Sequence, residues 1–595
     1  MPKATTTAED LLKKHWGYKK FRPLQKEAVT DLTEGRDTLV LMPTGGGKSL
    51  CFQLPALLRE GTALVISPLI SLMKDQVDSL NDMGIPATRI DSSLTPAEYG
   101  EARNGLRKGN IKLLYLSPEK VLSPGFPEIA GEINISLIAI DEAHCVSMWG
   151  HDFRQEYRKL KSLRKMFPGV PMGAFTATAT LQVREDISKQ LSLKKHGEYI
   201  GSFDRPNLTY RVIRRNKLET QLDEVLNRHK KESGIIYCIS RKDTEKWAVK
   251  LAARGIRVKA YHAGLPDEKR KKVQENFIRD KIQVVTATIA FGMGIDKSNI
   301  RFVVHTGMPK SLENYQQETG RGGRDGLPCE CVLFHSGQDL MLWRRILDNP
   351  PADNPAEQKL RAMASYCSSV ACRHRALLDY FHEPNNMKEC GACDVCLGEL
   401  PTEPEALIIS QKIISCVARV QERFGGEYIA QILTGSKQQR ILENGHDALS
   451  TWGILEEHPK TEVRNWTEQL ISGGYLERRG EFNVLGITPT GRLVLRGEET
   501  PLLIKAKKQT IKATKLELES WDGIDEELYI KLKEVRRSLA DQSGLPAFMV
   551  FSDASLRDMA RKKPASRDAF LNIHGVGEKK WEKYGEAFLN LFLDY

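Results

Sequence analysis

Short runs of β-branched and other apolar residues recur along roughly the first 300 residues and are separated by stretches of helical pattern. This alternation is typical of parallel sheets covered by helices. A chain of 595 residues is also too long for a single core. We therefore expect two similar α/β lobes in tandem, because the runs form two series: 37–42, 62–67, 112–117 and 136–142, then, after 203–208, 234–238, 258–263, 282–288 and 300–307.

The string "MPTGGGKS" at 42–49 follows the first run and leads into a helical stretch. In that context a glycine-rich string predicts a phosphate-binding loop, because glycine N–H groups and a helix N-terminus can approach phosphates closely. Lys48 would reach the β- and γ-phosphates, and Ser49 would supply an oxygen to Mg²⁺. Met42 stands where the usual pattern has its first glycine. The loop residues are Thr44, Gly45, Gly46, Gly47, Lys48 and Ser49.

Two carboxylates follow the apolar run in "LIAIDEAH" at 137–144. A nucleoside triphosphatase needs one carboxylate to hold its metal ion and another to orient or deprotonate water. We expect Asp141 to hold Mg²⁺, directly or through water, and Glu142 to act as the catalytic base. Together with the glycine-rich loop, these residues predict hydrolysis of a nucleoside triphosphate.

Three strings resemble the motifs of superfamily 2 helicases: "DEAH" at 141–144, "FTATAT" at 175–180 and "QQETGRGGRDG" at 316–326. The resemblance implies two RecA-like lobes with a cleft between them. It also implies that Arg324 is the arginine finger on the transferred phosphoryl group of ATP. Arg321 would make a second phosphate or coupling contact.

The stretch "GYKKFRPLQKEA" at 17–28 is similar to the adenine-reading segment of these enzymes. The resemblance implies that Tyr18 stacks on the base and that Gln25 hydrogen-bonds its edge. Arg22 would contact the nucleotide as well.

The string "SMWGHDFRQEY" at 147–157 directly follows the DEAH string and resembles the aromatic-rich loop of the RecQ DNA helicases. Its rings would stack on unpaired bases, and its arginine would meet a phosphate or a base. Because the loop is close in sequence to Glu142, a bound single strand would reposition that carboxylate and make ATP turnover depend on DNA. The expected DNA-binding residues of the loop are Trp149, His151, Phe153 and Arg154.

Eleven cysteines occur in the chain, and several crowd between residues 367 and 396. Cys372, Cys390, Cys393 and Cys396 have the spacing C-x17-C-x2-C-x2-C, which predicts a structural Zn²⁺ site in a small helical module. Spacing fixes the last three ligands better than the first. Family resemblance favours Cys372 as the first ligand, an iron–sulfur cluster is the alternative metal group, and the alternative first ligands are Cys367, His374 and His382.

Helical text from about 405 ends in "GGYLERRGEFNVLGITPTG" at 473–491. Helices followed by a hairpin suggest a winged-helix domain. In RecQ proteins this hairpin lies near the duplex junction, which implies phosphate contacts for Arg478 and Arg479 and an apolar wedge at Phe482. Packing of Phe482 into the core of the wing is the alternative.

Residues 521–595 resemble the helical HRDC domain, an accessory DNA-binding domain. The turn at 575–577, followed by Lys579 and Lys580, would present backbone amides and charges to a phosphate. Close packing of helices around its glycines is the alternative. The basic segment before this domain has no large apolar face, so we expect it to be a connector.

The predicted architecture is therefore a multidomain α/β protein that resembles the RecQ family along nearly its whole length. It comprises RecA-like lobe 1 at 1–205, RecA-like lobe 2 at 206–340, a helical zinc-binding module at 341–400, a winged-helix domain at 405–500, a linker at 501–520 and an all-α HRDC domain at 521–595. The predicted function is an ATP- and Mg²⁺-dependent DNA helicase of recombination and repair, and the family resemblance implies that it moves 3′ to 5′. An RNA helicase or remodeller, and a non-catalytic DNA-binding adaptor, are the alternatives.

Composition sets the expected location and partners. No stretch approaches the length of a membrane span, and the first 20 residues lack the apolar region of a signal peptide, so we expect a cytoplasmic, nucleoid-associated protein. A net charge of +11 is compatible with an anionic partner. The expected partners are single-stranded and forked duplex DNA, and the family resemblance adds a single-strand-binding protein and a topoisomerase. We expect a monomer.

Overall fold

The computed structural model describes residues 7–43, 45–150, 152–292, 297–351, 353–480, 483–505 and 511–593. Three predicted site residues, Thr44, His151 and Phe482, lie outside these ranges. Among the described residues, no helix combines the length and the apolar character needed to cross a bilayer.

The first lobe contains a seven-stranded, all-parallel sheet in the order β3-β4-β2-β5-β6-β1-β7. Most of its strands are buried along their whole length, as expected for a parallel sheet with helices on both faces. The strands are β1 Thr38–Leu41, β2 Thr62–Ile66, β3 Ala87–Ile90, β4 Leu113–Leu116, β5 Ile135–Ile140, β6 Met172–Thr176 and β7 Gly197–Ile200.

The helices of this lobe pack on the two faces of the sheet in separate apolar clusters. Two short turns depart from the α-helix: Leu12–Trp16 is a π-helix and Ala143–Val146 is a 3₁₀ helix. The α-helices are Ala8–Leu11, Gln25–Thr33, Leu50–Leu58, Ile70–Asp82, Pro96–Arg107, Pro118–Val121, Phe126–Gly131, Gln155–Lys159, Ser162–Met166 and Leu181–Leu191.

The second lobe contains a six-stranded parallel sheet in the order β10-β11-β9-β12-β13-β8. Its strands are β8 Leu208–Arg214, β9 Ser233–Tyr237, β10 Val258–Tyr261, β11 Val284–Ala287, β12 Ile300–His305 and β13 Cys329–His335. Its helices are Leu218–Arg228, Arg241–Ala252, Asp267–Ile278 and Leu312–Thr319. The two parallel sheets agree with the predicted pair of α/β lobes.

A helical module follows the second lobe and packs against both lobes. Phe381 stacks on Phe203 with ring centroids 4.4 Å apart and belongs to an apolar cluster of the first lobe. Cys372 and Cys393 belong to a cluster of the second lobe. The helices of the module are Gly337–Ile346, Pro355–Ser368 and Arg373–Tyr380.

The next domain contains the predicted hairpin, in which antiparallel strands β14 Leu476–Arg479 and β15 Val484–Ile487 pair. Its α-helices surround an apolar cluster that includes the fully buried Trp466. They are Ala406–Arg419, Gly426–Leu433, Gln439–Glu443, Lys460–Ser472 and Pro489–Arg496, with a 3₁₀ turn at His446–Ala448. Helices packed around a two-stranded hairpin form the predicted winged-helix arrangement.

The C-terminal domain is helical and has its own apolar cluster. Its helices are Lys515–Trp521, Glu526–Ser543, Ala547–Val550, Asp553–Lys562, Arg567–Leu571, Glu578–Lys580 and Glu586–Leu593, with a π-helical turn at Trp581–Gly585.

The predicted connector at 501–520 is partly packed and partly helical, which differs from a free linker. Leu503 is buried in the winged-helix cluster, and the N–H of Lys512 donates to Glu399 Oε1 at 2.8 Å. A capping box at Thr514 then starts the helix Lys515–Trp521. The described residues on either side of 506–510 are therefore held by an apolar contact, a hydrogen bond and a helix cap.

Candidate nucleotide and DNA site

The glycine-rich loop connects β1 to the helix Leu50–Leu58. Gly45 and Gly47 have φ angles of +83° and +84°, which residues with a Cβ adopt only at a cost. A Cβ on Gly47 would also lie 2.3 Å from Gln25 Nε2. The backbone angle therefore favours glycine at this position, and a residue with a Cβ would also displace the amide of Gln25.

Lys48 lies among charged groups that come from separate elements. Its Nζ donates to the carbonyl of Met42 at 3.1 Å. Burial lowers the pKa of Lys48, while the carboxylates of Glu142 and Asp141 act in the opposite direction. Burial raises the pKa of Asp141 to about 7, and the charge of Glu142 adds to this effect. The structure therefore brings together the ammonium and the two carboxylates that the sequence predicts.

A chain of polar side chains holds Ser49 at the start of the helix. Gln76 Nε2 donates to Ser49 Oγ at 3.3 Å. Gln53 Nε2 donates to Gln76 Oε1 at 2.8 Å, and the hydroxyl of buried Tyr115 donates to the same oxygen at 3.2 Å. The chain runs from the sheet to the loop and fixes the orientation of Gln76.

The predicted adenine-reading residues differ in their surroundings. Tyr18 is exposed, so its ring is accessible for stacking. Arg22 Nη1 donates to the carbonyl of Gly45 at 2.5 Å. Gln25 is buried; its Oε1 accepts from the N–H of Arg22 at 2.9 Å, and its Nε2 donates to the carbonyls of Gly46 and Gly47 at 3.3 Å each. Binding of adenine by Gln25 would have to replace these bonds to the glycine-rich loop.

The two predicted arginines of the second lobe occupy different positions. Arg324 reaches the first lobe. Its Cγ lies 3.6 Å from the position that a Cβ on Gly45 would take, and its positive charge contributes to the lowered pKa of Lys48. Arg321 is buried within the second lobe and donates to the carbonyl of Gly292. Of the two, only Arg324 lies against the glycine-rich loop.

His144 links the DEAH string to the FTATAT string. Its Nδ1 lies 2.9 Å from Thr176 Oγ1 and 3.4 Å from Glu142 Oε2. Glu142 has a left-handed backbone with φ of 49°, a conformation that is costly for a residue with a Cβ. Strand β6, which ends at Thr176, is therefore connected to the predicted catalytic base through one imidazole.

The aromatic-rich loop is anchored to the first lobe at several points. Trp149 is half-buried against an apolar cluster, whereas Phe153 is 36% exposed. Arg154 donates to the carbonyl of Pro68 at 3.3 Å and pairs with Asp152 at 3.2 Å. The hydroxyl of Tyr157, which ends the loop, donates to the carbonyl of Asp141 at 3.1 Å. The loop is thus hydrogen-bonded directly to the strand end that carries the carboxylates.

The predicted metal ligands converge in the helical module. Ligand sulfurs of Cys372, Cys390, Cys393 and Cys396 all lie within 4.8 Å of one another. A tetrahedral Zn²⁺ with bonds of about 2.3 Å places its sulfurs about 3.8 Å apart, so the cluster fits this ion. N–H groups of residues 392 and 396 donate to two of the sulfurs, at 3.3 and 3.4 Å, as suits thiolates.

His374, which spacing also allowed as the first zinc ligand, has both ring nitrogens engaged elsewhere. Its Nδ1 lies 2.7 Å from Asp204 Oδ1, and its Nε2 lies 3.0 Å from the carbonyl of Leu208. Cys367 and His382, which spacing allowed as well, are not part of the four-thiol cluster. The structure therefore selects Cys372.

Both arginines of the wing that are predicted to contact DNA form ion pairs within the protein. Arg478 pairs with Glu468 at 2.5 Å, and Arg479 pairs with Glu422 at 2.6 Å. A DNA phosphate would have to compete with these carboxylates.

In the C-terminal domain, Lys579 is exposed, but Lys580 lies with its Nζ 5.4 Å from the ring centroid of Phe551, and burial lowers its pKa. Val576 and Trp581, on either side of the lysines, pack against the apolar cluster. The surroundings of the 575–577 turn thus resemble close helix packing more than a phosphate site.

Comparison with known families accounts for most of the chain. It matches the families described as DEAD/DEAH box helicase at 22–187, helicase conserved C-terminal domain at 216–326, RecQ zinc-binding at 337–397, RQC domain at 402–513 and HRDC domain at 525–591.

Among curated proteins, the chain is 44% identical to the "ATP-dependent DNA helicase RecQ" of Bacillus subtilis over 590 residues, which cover 98% of both chains. The chain belongs to the RecQ family. Proteins of the same description from Pasteurella multocida and Haemophilus influenzae are 43% and 42% identical, over 98% and 99% of this chain and 93% and 96% of theirs.

Membership of the RecQ family decides between the functions that the sequence left open. The chain is an ATP-dependent DNA helicase, so an RNA helicase and a non-catalytic adaptor are set aside. The two lobes, zinc-binding module, winged helix and HRDC domain are those of the family. The four-cysteine cluster binds zinc, which excludes an iron–sulfur cluster.

Several residues that the structure places at the site were not predicted as site residues. His144 and Thr176 lie inside the DEAH and FTATAT strings, and Gln76 follows the second apolar run. Motif membership was the available signal for the first two. Gln53 and Tyr115 carry no signal, because their contacts depend on the packing of separate elements.

Proposed function

We propose that this RecQ-family helicase moves 3′ to 5′ along single-stranded DNA and separates the duplex ahead of it, with hydrolysis of Mg²⁺-bound ATP between its lobes. The observation that carries the proposal is the position of Arg324, a second-lobe residue that lies against Gly45 of the first lobe. Movement of one lobe against the other would therefore place or remove a cation at the phosphates.

Ser49 and Asp141 are the proposed Mg²⁺ ligands. A hydroxyl and a carboxylate are the oxygen donors that this ion prefers, and the raised pKa of buried Asp141 indicates a carboxylate that a cation would stabilise. When bound, the ion would neutralise charge on the β- and γ-phosphates. Gln76, which donates to Ser49 Oγ, would hold the hydroxyl in place.

Glu142 is the proposed base that orients and deprotonates the attacking water. Its Oε2 is buried, lies 3.4 Å from His144 Nδ1 and forms no other contact of this kind among the described residues, so it can still accept a hydrogen bond from a water molecule. His144 would orient this carboxylate from the side of Thr176. Lys48 and Arg324 would stabilise the charge on the transferred phosphoryl group, and buried Arg321 would support the segment around Gly292.

Exposed Phe153 and half-buried Trp149 are the proposed stacking platforms for unpaired bases, with Arg154 beside them. Stacking on an aromatic side chain is worth about 1–3 kcal/mol per base. The bond from Tyr157 to the carbonyl of Asp141 gives the loop a direct connection to the catalytic strand end, which supports DNA-dependent ATP hydrolysis.

The wing, the C-terminal domain and the surroundings of the protein in the cell complete the proposal. Arg478, Arg479 and Lys579 would contact duplex DNA, although both wing arginines are paired with carboxylates. We also propose a cytoplasmic, nucleoid-associated monomer, the predicted domain boundaries, and a single-strand-binding protein and a topoisomerase as partners. Family membership and the net charge of +11 support these points.

Unwinding of duplexes with a defined 3′ or 5′ single-stranded tail tests the proposal. We expect ATP-dependent unwinding of the 3′-tailed duplex only, and none with Lys48→Ala. Trp149→Ala together with Phe153→Ala should keep ATP binding but abolish the stimulation of ATP hydrolysis by DNA. Preference for the 5′ tail would refute the polarity, and unchanged stimulation in the double variant would refute the role of the rings.

A further inference from the structure

One lysine of the zinc-binding module contacts both lobes at functional segments. Lys359 lies in the helix Pro355–Ser368. Its Nζ donates to the carbonyl of Trp149 in the aromatic-rich loop at 2.6 Å, and it lies 3.0 Å from Glu313 Oε1. Glu313 belongs to the second lobe, in the first turn of the helix Leu312–Thr319.

The contact is shielded from solvent, which distinguishes it from an ordinary surface ion pair. The side chains of Lys359 and Glu313 are 16% and 3% exposed. Exposed ion pairs contribute little because water and salt screen them, whereas removal of one partner of a buried pair leaves an uncompensated charge. The link between the two lobes is therefore energetically significant.

Further charged groups lie near the Lys359–Glu313 pair, on the aromatic-rich loop and at the helix Leu312–Thr319. Lys310 interacts electrostatically with Asp152 of the aromatic-rich loop and with Glu318 and Glu313 of the second-lobe helix. The positive charge of Lys359 also acts on His144. Displacement of the loop would thus change the charge balance around Glu313.

The helix that carries Glu313 leads directly to the arginine finger. It ends at Thr319, and Arg324 follows after a short turn. The helix is buried along nearly its whole length, and Glu318 near its end bonds to His305 Nε2 at 2.7 Å. A shift of Glu313 would therefore be passed along a buried helix to the segment that places Arg324 against Gly45.

We propose that Lys359 is a positioning residue that couples the aromatic-rich loop to the arginine finger. The position of the loop, reported through the Trp149 carbonyl, determines the position of Glu313 and so of Arg324. This inference rests on the proposed function, in which DNA on the loop stimulates ATP hydrolysis, and it names the part of the zinc-binding module that carries the signal.

The test is Lys359→Met, which keeps the apolar stem and removes the ammonium. We expect ATP hydrolysis without DNA, the affinity for single-stranded DNA and the zinc content to stay unchanged. The maximal ATPase rate at saturating DNA should fall about tenfold, the size expected when hydrogen bonds to a charged group are lost. Lys359→Arg should retain most of the stimulation, and Lys388→Met, at an exposed lysine of the same module, should behave like the natural protein.

A double-mutant cycle with Glu313→Gln separates coupling from destabilisation. If the pair acts as one link, the double variant should lose no more stimulation than Lys359→Met alone. Full stimulation in Lys359→Met would overturn the inference, and so would equal losses of basal activity, stimulated activity and thermal stability.

Trp149→Ala with Phe153→Ala, measured in parallel, separates this inference from the proposed function. If DNA still fully stimulates ATP hydrolysis by Lys359→Met but no longer stimulates the double aromatic variant, only the role of Lys359 is overturned. If DNA no longer stimulates ATP hydrolysis by Lys359→Met but fully stimulates the double aromatic variant, the role of the rings is refuted. The link through the Trp149 carbonyl then remains.

Discussion

A buried carboxylate on strand β13 holds three cations of the second lobe. Glu330 is 2% exposed. Its oxygens lie 2.9 Å from Arg211 Nη1, 2.7 Å from Arg228 Nη2 and 2.7 Å from His229 Nε2. Arg211 also pairs with Glu399 of the zinc-binding module at 2.8 Å. The cluster therefore fastens that module to the sheet.

Glu330→Gln tests how much this cluster stabilises the second lobe. The change keeps the shape of the side chain but leaves three cations without their shared partner, and loss of one member of a buried ion pair costs about 3–5 kcal/mol. Burial lowers the pKa of His229, but hydrogen bonds to Glu232 and Glu330 outweigh it and raise this pKa from 6.5 to about 9. A shift of this size corresponds to about 3 kcal/mol.

The sign of the pH dependence follows from the raised pKa of His229. Its stabilising contribution is complete below pH 6.5, the ordinary value, and is lost as the pH rises through about 9. The natural protein should therefore lose stability in its second lobe over this window. Glu330→Gln should show a smaller loss there, because the variant lacks one of the two carboxylates that stabilise the charged imidazole.

Hydrogen exchange of peptides that cover β8 and β13, measured in increasing urea at about pH 6 and about pH 9.5, reports the local stability. Glu232→Gln is the matched control, because Glu232 is the other carboxylate that contacts His229 and its own side chain is 32% exposed. We expect this variant to lower the free energy of unfolding by at most about 1 kcal/mol. If Glu330→Gln destabilises these strands no more than Glu232→Gln, the assignment of the cluster as a buried fastening is wrong.

Two further predictions concern the metal and the glycine-rich loop. Cys393→Ser should lose bound zinc and have a lower melting temperature. Cys367→Ser, which changes a residue outside the four-thiol cluster, should keep the metal. Elemental analysis measures the zinc content, and a Cys393→Ser protein that retains zinc would contradict the assignment. Gly47→Ala should weaken ATP binding at least about tenfold in titration calorimetry, because a left-handed alanine costs about 1–2 kcal/mol and its Cβ would meet Gln25. Gly84→Ala, with φ of +74° and open space around it, should cost stability alone, and equal loss of binding in both variants would contradict the argument.

The sequence predicted strands best where apolar β-branched residues form an uninterrupted buried run, as in β1, β2 and β5. It did not predict β6, β7 or β8. It also missed β3, whose four residues include Arg89 and are only partly buried, and β13, in which Glu330 interrupts the apolar pattern. Glu330 is buried because three cations from other elements neutralise it. A short window of sequence contains no information about those partners.

The same limit applies to the site. The groups on the glycine-rich loop and on the DEAH string could be predicted, because each lies within a short string whose chemistry is fixed by spacing. Lys359 could not be predicted, since its contact with Trp149 joins residues 210 positions apart in sequence. The ion pairs of Arg478 and Arg479 likewise depend on how the wing folds back on its own domain.

The helical module inserts Phe381 into the apolar cluster of one lobe and two zinc-binding cysteines into that of the other. For the lobes to swing apart without exposing either of these clusters, the module itself has to bend. A bound Zn²⁺ that stiffens the module would in this way limit how far the lobes swing apart, and mutations that soften the module should widen that movement before they impair hydrolysis.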